Sequence, residues 1–186
     1  MEALINSFLL VFAGEMGDKT QLLSLVLASR FKKPWTILLG VFVATILNHG
    51  LASGLGVWLS SLVEPATMRW ILALTFFAFA LWILIPDKEE ELKQTSQFGV
   101  LATTIIAFFL AEMGDKTQLA TIALGARYAD TLIVTIGTTL GMLASNALAI
   151  FLGSKLLERI PMKWVRAFAS FLFLLFGVLI LISDQM

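Results

Sequence analysis

The chain has 186 residues, of which 59% are hydrophobic and only 14% are charged. Soluble domains are about 45–50% apolar and about 25% charged, so this composition excludes a disordered chain and argues against a soluble fold. The 13 basic and 13 acidic residues balance, which leaves no basic excess for nucleic-acid binding. Because the chain has no cysteine, it has neither a disulfide nor a thiolate metal site. We therefore expect a protein that lies in the lipid bilayer.

Six apolar stretches are each long enough to cross a bilayer, which requires about 20 apolar residues per helix. Prolines fall between these stretches and tryptophans lie near their ends, as helix stops and interfacial anchors do. The pattern predicts an all-α membrane protein with six transmembrane helices. These cover about residues 3–29, 36–60, 68–85, 98–126, 132–156 and 164–183.

Basic residues are concentrated in the loops on one side of this arrangement. Because basic loops remain in the cytoplasm, we expect that side to be cytoplasmic and both termini to lie outside the cytoplasm. Nine of the 13 basic residues belong to these loops: Arg30, Lys32, Lys33, Lys88, Lys93, Lys155, Arg159, Lys163 and Arg166.

One eight-residue segment, EMGDKTQL, occurs twice, at residues 15–22 and at residues 112–119, an offset of 97 residues. The repeat predicts two three-helix halves, residues 1–86 and 98–186, joined by an acidic cytoplasmic linker at residues 87–97. Because three is an odd number, the second half must cross the membrane in the opposite direction to the first. Inverted repeats of this kind are typical of secondary transporters, whose sites lie near the membrane midplane.

The repeated segment puts ionisable groups in the middle of two apolar stretches. Glu15 is about twelve residues, or ~18 Å, into the first stretch, and Glu112 is similarly deep in the fourth. Six such side chains facing lipid would cost roughly 15–20 kcal/mol. They must therefore face one another, a water-filled path or a bound ion. The six are Glu15, Asp18, Lys19, Glu112, Asp115 and Lys116.

The spacing within each segment brings its polar groups together. On a continuous helix, Asp18 and Lys19 share a face with Glu15, whereas Gly17 and Gly114 permit a break in the helix. Oxygen ligands suit Ca²⁺, Mn²⁺ or Mg²⁺, and they suit Zn²⁺ or Cu⁺ poorly. The predicted metal ligands are Glu15, Asp18, Glu112, Asp115, Gln21 and Gln118, with the hydroxyls of Thr20 and Thr117 nearby.

Proton coupling follows from the same groups. Four carboxylates and two ammonium groups carry a net charge of −2, which one divalent cation neutralises. Crowded carboxylates in a low dielectric bind protons more readily once the metal has left, so metal and protons compete. We expect about two protons per cation from charge balance. Lys19 and Lys116 either tune the site, occupy it when it is empty, or only form salt bridges with Glu15 and Glu112.

Other polar residues and glycines lie within the predicted helices. His49, Asn48 and Asn146 are predicted either as further ligands, with His49 as a proton relay, or as interhelical hydrogen-bonding groups. The Gly50-xxx-Gly54 and Gly137-xxx-Gly141 patterns predict faces of close helix packing.

The segments Glu15–Thr20 and Glu112–Thr117 resemble the paired E-φ-G-D-[KR]-[ST] signature of a family of divalent cation/proton exchangers. This family includes the Golgi manganese/calcium transporter and the manganese exporters of bacteria and chloroplasts. The resemblance implies export of Mn²⁺ or Ca²⁺ in exchange for protons, without a cofactor. It also implies a cation site made by Glu15, Asp18, Glu112 and Asp115, in a bacterial plasma (inner) membrane. It leaves open which ion is preferred and whether the protein is a monomer or a homodimer.

Three alternatives follow from the same residues. A passive divalent-cation channel or an exporter of small organic cations would also use intramembrane acids. Asp18 and Asp115 could instead form the dyad of an intramembrane aspartyl enzyme, and a purely structural role is the third. The chain has no phosphate-binding loop of the Walker type, which argues against ATP as the energy source.

Overall fold

The computed structural model describes residues 1–85, 99–153 and 161–182, and within them the chain is helical. The predicted linker at 87–97 lies outside the described residues, as do Lys155 and Arg159 of the basic loops. The eight helices of the described part are α1 (Glu2–Glu15), α2 (Lys19–Phe31), α3 (Pro34–Ser60), α4 (Pro65–Trp82), α5 (Val100–Glu112), α6 (Lys116–Tyr128), α7 (Thr131–Leu152) and α8 (Met162–Ile182).

Four helices (α3, α4, α7 and α8) are long and apolar enough to cross a membrane, by length and composition. Each corresponds to one predicted stretch. Pro34 and Pro65 are the first residues of α3 and α4, where the missing N–H of proline removes no helical hydrogen bond. Pro161 directly precedes α8. Proline therefore sets these boundaries as the sequence predicts.

The other two predicted stretches each fold as two shorter helices. The first stretch is divided into α1 and α2 at Gly17, and the fourth into α5 and α6 at Gly114. Both glycines have a φ of +78°, a left-handed conformation that other residues adopt only with strain. The predicted break at these glycines is confirmed in both copies of the repeated segment.

The helices around the two copies of the repeated segment make equivalent contacts. Helix α1 packs along α7, and α5 packs along α3. A Cβ atom placed on Gly137 would lie 2.8 Å from the Cβ of Ser7, and one placed on Gly40 would lie 2.6 Å from the Cβ of Thr104. Ser7 and Thr104 are 97 residues apart, as are Gly40 and Gly137. Each broken stretch therefore packs against the long helix that follows the other copy of the repeated segment.

Close packing at the Gly-xxx-Gly patterns is confirmed for α7 and wrong for α3. Positions for a Cβ on Gly137 and Gly141 lie 2.7 Å and 2.6 Å from backbone oxygens of α1. By contrast, within the described part of the chain, the nearest neighbour of such a position on Gly50 or Gly54 is a threonine methyl carbon of α7 at 3.9 Å. The close contacts of α3 are made by other glycines, because a different face of this helix meets α5 and α6.

Apolar and polar side chains are distributed as in a membrane protein. Helices α4 and α8 pack through aromatic rings, with Phe76 and Phe176 centroids 4.8 Å apart. Leucines and tryptophans are exposed on the outer surface, including Trp35 and Trp164 near helix ends. Acids, amides, hydroxyls and a histidine are buried inside. Lipid satisfies such an apolar surface, whereas water does not.

Helix α6 contacts α3 so closely that one glycine of α3 is required there. A Cβ on Gly56 would overlap the carbonyl oxygen of Ile122, so Gly56→Ala should destabilise the fold by about 1–3 kcal/mol. We expect the Tm in detergent to fall by roughly 3–10 °C. Gly50→Ala on the same helix is the matched control and should leave the Tm unchanged or slightly higher. Equal effects of the two substitutions would contradict the close contact.

Candidate cation site

The two helix breaks position the acidic residues of the repeated segment. Glu15 is the last residue of α1, and Asp18 is the capping residue before α2. Glu112 and Asp115 occupy the same positions between α5 and α6. The prediction that Glu15 and Asp18 converge on one face of a continuous helix is therefore wrong in its geometry. The turn at the break, and not helical periodicity, sets where each aspartate lies relative to the glutamate before it.

Acids from both copies of the segment meet inside the protein. One oxygen from each of Glu15, Glu112 and Asp115 lies within 4.8 Å of the others, and all three side chains are buried. Asp18 is also buried and interacts electrostatically with Glu112. We call these four residues the acidic cluster. Carboxylates repel one another strongly at such distances in a medium of low dielectric, so the cluster requires nearby positive charge.

The two carboxylate oxygens of each glutamate in the cluster differ in whether a hydrogen-bond donor reaches them among the described residues. The hydroxyl of Thr20 donates to Oε2 of Glu15 at 2.6 Å, and that of Thr117 donates to Oε2 of Glu112 at 3.1 Å. Within the described residues, Oε1 of Glu15 and Oε1 of Glu112 are buried without a hydrogen-bond partner. A buried acceptor without a donor costs about 1–3 kcal/mol. These two oxygens are therefore available to a cation.

The two lysines of the repeated segment have different surroundings. Lys19 Nζ forms an ion pair with Oδ1 of Asp115, from the other copy, at 3.1 Å. Lys19 does not form the alternative salt bridge with Glu15 within one helix, because the helix ends at Glu15. Lys116 Nζ donates to the carbonyl oxygen of Ile85 at 3.2 Å and lies 5.9 Å from the centre of the Trp82 ring. Lys19 therefore links the two halves at the cluster.

The two glutamines bind the backbone of the breaks. Oε1 of Gln21 accepts a hydrogen bond from the N–H of Gly17 at 2.8 Å, and Oε1 of Gln118 accepts one from Gly114 at 2.7 Å. The Nε2 of Gln21 also donates to the carbonyl oxygen of Ser145 in α7 at 2.9 Å. The predicted ligand oxygens of both glutamines therefore already have a donor.

The predicted asparagines take part in hydrogen bonds between and within helices. Nδ2 of Asn48 donates to the carbonyl oxygen of Phe109 in α5 at 3.1 Å. Oδ1 of Asn146 accepts from the hydroxyl of Ser24 at 2.7 Å, which joins α2 to α7. The hydrogen bond of Ser24 was not predicted from the sequence. The place of Ser24 one turn after Gln21 was the available signal, because residues three apart share a helix face.

His49 is fully buried in α3. Neither of its ring nitrogens has a hydrogen-bond partner among the described residues. Its role as a proton relay stays a prediction.

Comparison with known proteins identifies a family for this chain. The model of one family, "Divalent cation/proton antiporter GDT1", matches residues 3–91 and 100–186. This chain belongs to the GDT1 family of divalent cation/proton antiporters. The family resemblance predicted from the two motifs is therefore confirmed, and membership favours transport over the aspartyl-enzyme alternative.

Relatives of this GDT1-family chain cover nearly its whole length. A Vibrio cholerae protein named "Putative manganese exporter" is 45% identical over 179 residues, which are 96% of this chain and 90% of the relative. GDT1-like protein 3 of Arabidopsis thaliana is 29% identical over 95% of this chain and 69% of its own length. A GDT1-like protein of Synechocystis is 29% identical over 96% of both chains. No solved structure matches the chain.

The Ser24–Asn146 hydrogen bond should stabilise the GDT1-family fold at the α2–α7 contact. Ser24→Ala leaves the buried Oδ1 of Asn146 without this donor, which costs about 1–3 kcal/mol. Thermal unfolding in detergent should show a Tm lower by roughly 3–10 °C. The control is Ser29→Ala, since the Ser29 hydroxyl is exposed and bonds only within its own helix, to the carbonyl of Val26. A Tm for Ser24→Ala equal to that of the control would show that this bond contributes nothing.

Proposed function

We propose that this protein exports divalent cations, Mn²⁺ and/or Ca²⁺, from the cytoplasm in exchange for protons. One observation carries the proposal: buried carboxylates from both copies of the repeated segment, Glu15, Glu112 and Asp115, have oxygens within 4.8 Å of one another. A divalent cation among them would neutralise the repulsion and bind the oxygens that have no donor.

The chemistry of the site favours a hard cation. The cluster offers only carboxylate oxygens, the ligand type that Mn²⁺, Ca²⁺ and Mg²⁺ prefer. We propose all four acids of the cluster as cation-binding residues, with the threonine hydroxyls orienting the two glutamates. The name of the Vibrio cholerae relative, at 45% identity, favours Mn²⁺ as the principal substrate.

Exchange for protons would use the same oxygens. A buried carboxylate that loses its cation is stabilised by taking up a proton instead, because a neutral acid costs less than an isolated charge in a low dielectric. Cation and protons would then bind alternately. The proton gradient would drive the export of the cation.

We further propose six membrane spans arranged as two inverted repeats, residues 1–86 and 98–186, with 87–97 as a cytoplasmic linker. In this arrangement α1 with α2, and α5 with α6, each form one broken span. Each pair has 26 or 27 helical residues, or about 40 Å at 1.5 Å per residue, which exceeds the ~30 Å core of a bilayer. The equivalent packing of α1 on α7 and of α5 on α3 supports this symmetry.

We propose that the protein lies in a bacterial inner membrane, which its similarity to the Vibrio cholerae relative supports, with both termini outside the cytoplasm, which the bias of basic residues supports. In that orientation the predicted linker would be cytoplasmic.

Cation flux in proteoliposomes tests the function. Vesicles that are acidic inside should accumulate Mn²⁺, and collapse of the pH gradient should stop the uptake. The KM for Mn²⁺ should rise as the external pH is lowered, because protons compete for the carboxylates. Glu15→Gln and Glu112→Gln should each reduce uptake by more than about 100-fold, since each removes a charged ligand.

The control for these variants is Glu64→Gln, at an exposed glutamate that precedes α4, which should transport as the wild type does. Uptake that neither saturates nor moves protons would identify a passive channel. Saturable Mn²⁺ uptake that is independent of pH would exclude proton exchange.

Lys19 is proposed as the internal counter-ion of the cluster. Lys19→Met keeps the length of the side chain but removes the charge 3.1 Å from Asp115. The cluster becomes more negative and attracts a divalent cation more strongly, so the KM for Mn²⁺ should fall several-fold and slower release should lower Vmax. Lys163→Met, at an exposed position, is the control. A higher KM in Lys19→Met would show that the lysine positions Asp115 and does not compete with the cation.

A further inference from the structure

We propose that Gln21 and Gln118 are positioning residues that maintain the two helix breaks, and that they are not cation ligands. This inference rests on the proposed function, because it concerns how the acidic cluster is held ready for a cation. It assigns a structural role, distinct from cation binding, to the glutamine that follows the acidic motif in each copy.

The hydrogen-bonding partners determine which atom of each amide faces the break. A backbone N–H can only donate, so the atom 2.8 Å from Gly17 N and the atom 2.7 Å from Gly114 N must both be amide oxygens. The other end of Gln21 faces the carbonyl oxygen of Ser145 at 2.9 Å, which only accepts. The same orientation of the Gln21 amide group satisfies both hydrogen bonds.

Each glutamine closes a five-residue loop around an aspartate of the cluster. In one copy the bond joins Gly17 to Gln21 and encloses Asp18, and in the other it joins Gly114 to Gln118 and encloses Asp115. The residues before the glycines, Met16 and Met113, leave the helical conformation with ψ values of 114° and 117°, which turns the N–H of each glycine away from the hydrogen-bond ladder of the preceding helix. The glutamine oxygen supplies the acceptor that this N–H would otherwise lack.

The glutamines and the glutamates therefore have complementary roles. The oxygen of each glutamine accepts a short hydrogen bond from the backbone and would have to share or lose it in order to bind a cation. Oε1 of Glu15 and Oε1 of Glu112 have no donor among the described residues. A cation would bind the glutamate oxygens at a lower cost than the amide oxygens.

Loss of a glutamine should affect all transported cations equally. Without its acceptor, the glycine N–H is satisfied by straightening of the helix, and a straight helix would move Asp115 away from Glu15 and Glu112. A displaced carboxylate weakens the site for every divalent cation. Loss of a true ligand would instead change the order of preference among cations, because each ion favours particular ligand atoms.

The test uses Gln118 because Gln118→Glu keeps the oxygen that accepts from Gly114, whereas Gln21→Glu would also lose the donor to the carbonyl oxygen of Ser145. Gln118→Met has a similar length without an amide oxygen, and its thioether is a soft ligand that favours Cd²⁺ over Mn²⁺. Uptake of Mn²⁺, Ca²⁺, Mg²⁺ and Cd²⁺ is measured in the same proteoliposomes. Hydrogen exchange at the Gly114 amide is measured in the purified protein. Leu119→Met, the neighbouring exposed residue, controls for the introduction of a methionine at this turn.

For a positioning role, Gln118→Met should raise the KM for each transported ion by the same factor, about five- to tenfold for one lost hydrogen bond. Exchange at Gly114 should become faster by a similar factor, with the ratio of Cd²⁺ to Mn²⁺ uptake unchanged. Gln118→Glu should restore exchange at Gly114 to within about twofold of the wild type, because a carboxylate oxygen accepts from the same N–H. Its KM should return to the wild-type value or fall below it, because the added negative charge attracts the cation. If Gln118→Met does not fold, Gln118→Asn, which is one carbon too short, should show the same defects.

Three results would overturn the inference. The first is a Cd²⁺ to Mn²⁺ ratio that rises in Gln118→Met while exchange at Gly114 is unchanged, which would make the glutamine oxygen a ligand. The second is a Gln118→Met protein whose KM values and hydrogen exchange at Gly114 equal those of the wild type. The third is a Gln118→Glu protein that remains defective. If the wild-type protein moves no divalent cation, the proposed function fails, and exchange at Gly114 still decides whether the glutamine maintains the break.

Discussion

Carboxylates buried in an apolar helix bundle need hydrogen-bond donors, positive charge or a bound cation, and this requirement shapes the centre of the molecule. Glu15 and Glu112 are fully buried, and each receives one hydroxyl donor from the threonine five residues later. Lys19 supplies positive charge to Asp115 from the opposite copy. Among the described residues, these contacts leave Oε1 of Glu15 and Oε1 of Glu112 without a donor, and the proposed cation site uses these two oxygens.

The breaks at Gly17 and Gly114 meet this requirement in a way that a continuous helix does not. A straight helix would keep its backbone hydrogen bonds and separate Glu15 from Asp18 by a turn of backbone. The left-handed glycine follows the end of one helix at the glutamate, and the aspartate then caps the start of the next helix. The long helices α3 and α7 provide the surface on which the broken stretches pack, through Gly40 and Gly137.

Identical segments in the two halves have unequal partners. Gln21 binds Ser145 of α7, and a Cβ on Gly17 would contact Met162 of α8. The corresponding position on Gly114 has no atom within 4 Å among the described residues. These differences arise because the residues that surround the segments, such as Met162, are not themselves repeated. Two copies of one segment therefore acquire different environments without any difference in their own sequence.

The sequence by itself determined the membrane class, the positions of the long helices and the glycines at which two stretches can break, and it predicts that the acids form one functional set. These features depend on composition, on proline and glycine conformation, and on a repeat, all of which are local in the chain. Only the tertiary structure decided that Lys19 pairs with Asp115, that the glutamine oxygens bind the breaks, that Ser24 meets Asn146, and that Gly50 and Gly54 are not close-packed. The lysine, serine and glycine contacts depend on which helix faces meet and how closely, and that is set by packing between residues far apart in the chain. Each glutamine bond spans only four residues, but it forms only once the break has turned the glycine N–H out of the helix.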